Sequence, residues 1–394
     1  MIVMSDARVI VVGGGPAGLA IAGLLALEGV DTMLVAPPPV SFDPRTIALM
    51  QPALRLLQRL GVWPEALSAS SSPLRHLSIR DETGNLFSAP ALTFSASELG
   101  LESFGWNIPL ADMVPRLVEA AQRLGARLLE GEVAAVEHGH HQATVVLVDG
   151  RRFTAPLLVA ADGQNSVLRG AAGIDADRWS FDQAALVANF RHSGPHGDCS
   201  TERHRIGGPL TTVPLPGRHS SLVWMASPDR IERILENPSA LASEIQLGTH
   251  GELGLVSDVT PPRSFAMRGL TARRFAASRT MLVGEAAHAF PPIGAQGLNM
   301  SLRDAGHVAD VVMGHDDPGS EAALGDYHGR RVIDVNERQA AISLVNKSLI
   351  ADLLPLHLLR AGGLSLIAAF PPLRNLVMRH GLAPDANLPF AMRA

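Results

Sequence analysis

Three glycines near the start of the chain, Gly13, Gly15 and Gly18, have the spacing that lets a backbone wrap a pyrophosphate. In the run Gly13-Gly-Gly15-Pro16-Ala17-Gly18 the first permits a tight turn, the second lets phosphate approach bare backbone, and the third lets a helix pack on a strand. The free N–H groups and positive end of that helix then meet negative charge. A second polar turn, Asp162-Gly163-Gln-Asn-Ser166, has Ser166 placed to cap a short helix. Alone it is an ordinary turn; it gains meaning from a third stretch. There Gly284-Glu285 is followed by Pro292, Gly294, Ala295, Gln296, Gly297, Leu298 and Asn299. The Glu285 carboxylate can accept hydrogen bonds from sugar-alcohol hydroxyls. A helix N-terminus near Gly297 would stabilise the negative charge that a reduced flavin carries at N1 and C2=O. No side chain stands out as a catalytic group, so a bound cofactor is expected to carry the chemistry.

Each turn must be held by a strand before it and a helix after it. Arg8 to Val12 is a β-branched run suited to the middle of a parallel sheet, and Leu19 to Glu28 reads as a helix closed by Gly29. Thr32 to Val35 predicts the second strand. At its end, where a dinucleotide fold places an acid on the ribose hydroxyls, stand Ala36 and Pro37. The adenosine ribose is then held otherwise or less tightly, and the absence predicts a cofactor readily lost on dilution. Leu157 to Ala161 and Thr280 to Val283 predict the strands that carry the other two turns. Asp43-Pro-Arg45 precedes an expected amphipathic helix from about Ile47 to Leu60; by itself Arg45 reads as a surface charge at a helix end.

The three stretches resemble those of class A flavoprotein monooxygenases, and Gly284 to Asp304 is similar to the ubiquinone-biosynthesis hydroxylases of the UbiH type. The likeness runs from the first strand to about Val345 and includes Asp43-Pro-Arg45-Thr-Ile-Ala-Leu. It implies a mixed α/β (α+β) fold: a Rossmann-like FAD-binding domain of the para-hydroxybenzoate hydroxylase type, an inserted β-sheet substrate domain and C-terminal helices. The implied flavin domain is discontinuous, at 1–72, 106–178 and 270–345, with 73–105 and 179–269 forming the sheet domain and 346–394 a helical segment. Leu74 to Asp81, Ala184 to His192 and Ser220 to Ala226 alternate as strands of that sheet. The resemblance places Gly13, Gly15 and Gly18 on the pyrophosphate and Arg45 on the flavin side. Asp162 and Gly163 would lie near the pyrophosphate and the pyridine-nucleotide approach, Glu285 on ribityl or phosphate oxygens, and Pro292 to Asn299 around the isoalloxazine. Glu285 stands where many relatives have aspartate. The implied reaction is hydroxylation of a phenolic ring, of a polyprenylphenol, through a C4a-hydroperoxyflavin, using O₂ and NAD(P)H or another reductase. Alternatives on the same scaffold are hydroxylation of a soluble aromatic, prenyl-chain reduction, or a catalytically degenerate flavoprotein subunit.

Composition sets outer limits. A net charge of -5 and a single lysine, Lys347, exclude a nucleic-acid footprint. Cys199 is the only cysteine, so neither an internal disulfide nor a cysteine metal cage can form, and a reducing cytoplasm is expected. No export signal is read at Met1 to Arg8. Leu349 to Phe370 is apolar but broken by Asp352, Pro355, His357 and Arg360, which fits core-packing helices or a peripheral contact at the inner membrane face, not a span. His138-Gly-His140-His141 reads as a hairpin turn and not a metal site, and His288 as a packed, hydrogen-bonded histidine. Tyr327, the one tyrosine, sits among Asp326, His328 and Arg330 and is expected on an exposed helical face.

Overall fold

The computed structural model describes residues 6–38, 43–84, 90–290, 296–350, 370–382 and 387–394, with backbone only for 340–350 and 380–382. Val9–Val12 (β1) lies at the centre of a six-stranded sheet, every residue buried, and leads through the glycine turn into Pro16–Leu27 (α1), whose proline begins the helix. Thr32–Ala36 (β2) pairs parallel with β1. Thr46–Met50 (β3) belongs to a separate three-stranded sheet, antiparallel to Gly105–Pro109. Arg127–Glu130 (β4) pairs parallel with β2, and Leu157–Ala160 (β5) parallel with β1 on its other side.

The expected helix over Ile47 to Leu60 is thus shorter. Ile47 to Met50 belong to β3, and the helix spans Gln51–Arg59. Pairing with Gly105–Pro109 overrides helical propensity, and Pro52 in the first turn marks the true start. Gly105 makes the pairing possible: a Cβ there would lie 2.0 Å from the Leu49 carbonyl oxygen.

A nine-stranded sheet takes up much of the middle of the chain. Ala176–His192 (β6) runs beside His219–Ala226; Cys199–His204 (β7) pairs with Leu210–Leu215 (β8), which pairs with His219–Ala226 (β9). Arg263–Ala272 (β10) flanks β6 with a bulge between Ser180 and Ala184. One face, with Leu186, Leu222 and Trp224, packs on the helices over 228–248; the other carries Ala185, Met225 and Met267. At its far edge Leu92 and Phe94 pack with Met50, Leu74 and Phe104, so this second face meets the three-stranded sheet. Thr280–Leu282 (β11) joins the first sheet beside β5. Gln296–Gly314 (α2) packs on α1, and Glu321–Ile350 (α3) on α2.

His138 to His141 turn between antiparallel strands, as expected of a hairpin. Tyr327 corrects its expectation. It is fully buried, and its hydroxyl donates to the Leu282 carbonyl at 2.8 Å. Its charged neighbours lie on the rest of the helix circumference, while Tyr327 itself turns toward the sheet. Among the described residues no helix is long and apolar enough to cross a membrane. Most of Leu349 to Phe370 lies outside the described residues.

Candidate cofactor site

The strand order brings the three turns together. Gly13 has φ +123°, and a Cβ there would lie 2.1 Å from the Ala161 carbonyl oxygen, so the first turn abuts the start of the second. A Cβ on Gly18 would meet the Gly13 carbonyl at 2.0 Å, which is the close helix-to-strand approach the spacing implies. Gly15, the N-cap of α1, has open space before it among the described residues, and there neither a capping side chain nor an acidic residue occupies the helix end. Pro16 and Ala17 open the helix. Gly284, at φ +56°, lies where a Cβ would be 3.8 Å from the Ala17 Cβ and 3.1 Å from Ser301 Oγ. The third turn therefore touches both the first turn and α2. Gln164 Nε2 donates to Glu285 Oε2 at 3.2 Å, tying the second turn to the third.

Among the described residues Asp162 Oδ1 is buried without a hydrogen-bond partner, while Oδ2 accepts from the Leu168 N–H at 3.3 Å. Burial pushes this carboxyl above the ordinary range, and the Ser166 hydroxyl and Leu168 N–H only partly offset it. Ser166 caps its helix, accepting from the Arg169 N–H at 2.9 Å. Gly163 supplies the left-handed residue after Asp162, at φ +80°. An open glycine at a bare helix end, beside a carboxylate with an unused oxygen, fits the pyrophosphate and sugar hydroxyls of FAD.

Arg45 is held by Asp43, with Nε to Oδ1 at 2.9 Å, and its guanidinium lies 5.2 Å over the Phe265 ring of β10. It also feels the Glu285 charge. Five residues after Arg45, the Met50 N–H donates to Asn299 Oδ1 of α2 at 2.9 Å, and Asn299 Nδ2 donates to the Ala48 carbonyl at 2.8 Å. The early arginine segment thus spans from Glu285 to the start of α2. Gln296, Gly297, Leu298 and Asn299 form the first turn of α2, which carries no acidic residue. Pro292, Gly294 and Ala295 lie outside the described residues.

Behind these turns lies a buried ionic network that spacing alone did not reveal. Asp304 Oδ2 accepts from the Gly284 N–H at 2.9 Å and from His288 Nε2 at 2.7 Å, and Oδ1 accepts from Arg331 Nε at 2.6 Å. His288 is therefore the packed histidine expected, stacked on Phe290 at 5.3 Å. Arg331 continues to Asp334 at 2.7 Å, Asp334 to Arg338 at 2.9 Å, and Arg338 to Gln296 Oε1 at 2.9 Å. One chain of charges so connects the third turn to the start of α2. A second missed feature is a pair on the sheet face toward β3: half-buried Glu202 and buried His204, whose Nε2 lies 2.7 Å from the carboxylate, with His204 Nδ1 unpartnered among the described residues. Residues two apart on one strand give no motif; only the register with Ile79 and Thr211 shows which way they face. Among the described residues no cluster of three metal-ligating side chains exists.

Comparison with known proteins agrees with this geometry. Residues 6–335 match the family model described as FAD binding domain. The chain is 29% identical over 389 residues to ubiquinone hydroxylase UbiL of Rhodospirillum rubrum, covering 95% of this chain and 89% of that one. It is 28% identical over 391 residues to the 3-demethoxyubiquinol 3-hydroxylase of Escherichia coli, covering 95% and 98%. Among solved structures, p-nitrophenol 4-monooxygenase PnpA from Pseudomonas putida superposes with a TM-score of 0.77 at 20% identity, over 96% of this chain and 98% of that one. The fold, the converging turns and the match over most of the chain lead to one conclusion: this chain belongs to the FAD-binding-domain family and is an FAD-dependent class A flavoprotein monooxygenase.

Proposed function

We propose that the protein hydroxylates a phenolic ring carrying a polyprenyl tail, an intermediate of ubiquinone biosynthesis. The observation that carries this reading is the end-to-end similarity to the E. coli 3-demethoxyubiquinol 3-hydroxylase. FAD supplies the stored electrons and the activation of O₂; the chain binds, orients and shields. Gly13, Gly15 and Gly18 with Pro16 and Ala17 receive the pyrophosphate, Asp162 and Gly163 flank it, and Gly284 and Glu285 take ribityl or phosphate oxygens. Arg45 sits on the flavin side, and Pro292, Gly294, Ala295, Gln296, Gly297, Leu298 and Asn299 surround the ring system. Residues 1–72, 106–178 and 270–345 form the flavin domain, with 73–105 and 179–269 as the sheet domain. With one dinucleotide turn in the sequence, a reduced nicotinamide binds only transiently as electron donor.

The apolar face of Ala185, Val223, Met225 and Met267 offers a floor for an aromatic ring. A hollow of about 510 Å³ at the β6 bulge, with Phe181, Ile231, Leu235 and Met267 in its lining and Glu232 and Arg268 as its charged members, has room for a flexible tail. Such a substrate resides in a bilayer, so the protein works in the cytoplasm with a peripheral contact at the inner membrane face. A soluble substrate is the second reading, favoured by 28% identity to a 3-(3-hydroxy-phenyl)propionate/3-hydroxycinnamic acid hydroxylase of Burkholderia vietnamiensis. Oxygen consumption with short-tailed prenylphenols, followed by mass analysis of products, separates the two. Hydroxylated product is expected from a prenylphenol; none from any of them, with turnover of hydroxyphenylpropionate, overturns the proposal.

A further inference from the structure

The second strand ends at Ala36, where the ribose-binding acid of a dinucleotide fold is absent. The structure shows that this position faces the cofactor turn: a Cβ placed on Gly14 would lie 2.8 Å from the Ala36 Cβ. Ala36 is paired in parallel register with Glu130, the last residue of β4. Register partners on adjacent parallel strands project to the same side, about 4.8 Å apart. The Glu130 side chain therefore starts one strand away from the missing acid and points the same way. Its backbone is fixed on both sides, since the Gly131 N–H donates to the Ala36 carbonyl at 2.9 Å and Arg151 donates to the Glu130 carbonyl at 2.8 Å. Its carboxylate is exposed and enters no hydrogen bond or ion pair among the described residues.

We propose that Glu130 supplies, from the neighbouring strand, the carboxylate that accepts the hydroxyls of the adenosine ribose of FAD. A glutamate has the reach to cover one strand spacing, and a vicinal diol presents two donors to its two oxygens. The absent acid is then relocated rather than lost. Ready loss of FAD on dilution becomes the property of a Glu130 variant and not of the native chain. This inference concerns the cofactor alone and stands whatever the substrate.

The test titrates apoprotein with FAD, following flavin fluorescence, and records apoprotein melting in parallel. Glu130→Ala raises the FAD dissociation constant by about tenfold to a hundredfold, the effect of removing a hydrogen bond to a charged group. Glu132→Ala, two residues on, controls for general charge and stays within twofold. Adding Ala36→Glu to the Glu130→Ala variant recovers most of the loss, with apoprotein melting unchanged throughout. A change below twofold for Glu130→Ala overturns the assignment, as does an equal loss in the Glu132 variant.

Discussion

Asp304 is the residue on which the buried ionic network turns, and Asp304→Asn is the sharpest test of it. The carboxylate is 1% exposed and its partner Arg331 0%. Burial opposes its ionisation, yet contact with His288, the Arg331 charge and the Gly284 N–H hold its pKa below the ordinary value. Asparagine keeps an acceptor but removes the charge, leaving Arg331 inside the protein with Asp334 as its only remaining anion in this network. Breaking a buried pair in this manner costs about 3–5 kcal/mol. An unfolding entropy of ~2.1 cal/mol/K per residue, applied to 394 residues, gives ~0.8 kcal/mol per degree. The variant is therefore expected to melt about 4–6 °C below the parent. The shift should be read on apoprotein by circular dichroism, so that lost flavin does not contribute. Adding Arg331→Met removes the stranded cation and should recover at least half of the loss. A shift under about 1 °C, or a double variant that melts lower than the single one, would refute the account of the network as coupled charges.

Gly13 and Gly15 should respond differently to alanine. Gly13→Ala forces a Cβ against the Ala161 carbonyl at a positive φ and should destabilise the apoprotein, whereas Gly15→Ala should leave apoprotein melting unchanged and weaken FAD binding by tenfold or more. Parallel melting and titration check both. His307 is buried, and desolvation, helped by Arg331 and Arg303, pushes its pKa down to about 3. The unfolded chain binds this proton near pH 6.5, so the stability contributed is present above that pH and falls by up to ~1.4 kcal/mol per unit between about 6.5 and 3. His307→Leu should flatten melting temperature against pH in the upper part of that window, and an unchanged slope contradicts the assignment. Tyr327→Phe strands the Leu282 carbonyl and should lower stability by about 1–2 kcal/mol without altering turnover.

The three glycine turns were legible because their backbone requirements are local. Gly13, Gly15 and Gly18 need particular backbone freedom within six residues, and strand, turn and helix follow in order. Ser166 as a cap belongs to the same class of signal. What could not be read was set by pairing at long range. β3 became a strand because Gly105–Pro109 lies beside it, and Tyr327 became buried because Leu282 presents a carbonyl to that side of the helix. Asp304, Arg331 and Arg338 are unremarkable charges in sequence, joined only when α2 and α3 pack. Glu130 gains its meaning from its register with Ala36, a fact of sheet order and not of spacing.

The hydrogen bonds that join Asn299 to Met50 and Ala48 have a consequence for how the site keeps its dimensions. By accepting from Met50 and donating to Ala48, one amide side chain does for the free edge of β3 what a neighbouring strand would do. It acts as a peg that indexes the strand against the helix, and a slip of two residues would leave it engaged with the wrong peptide units. Arg45, three residues before Ala48, is thereby placed by counting along the strand from that peg. The separation between the Arg45 charge and the start of α2 is thus a fixed number of peptide units, insensitive to movements of the surrounding loops.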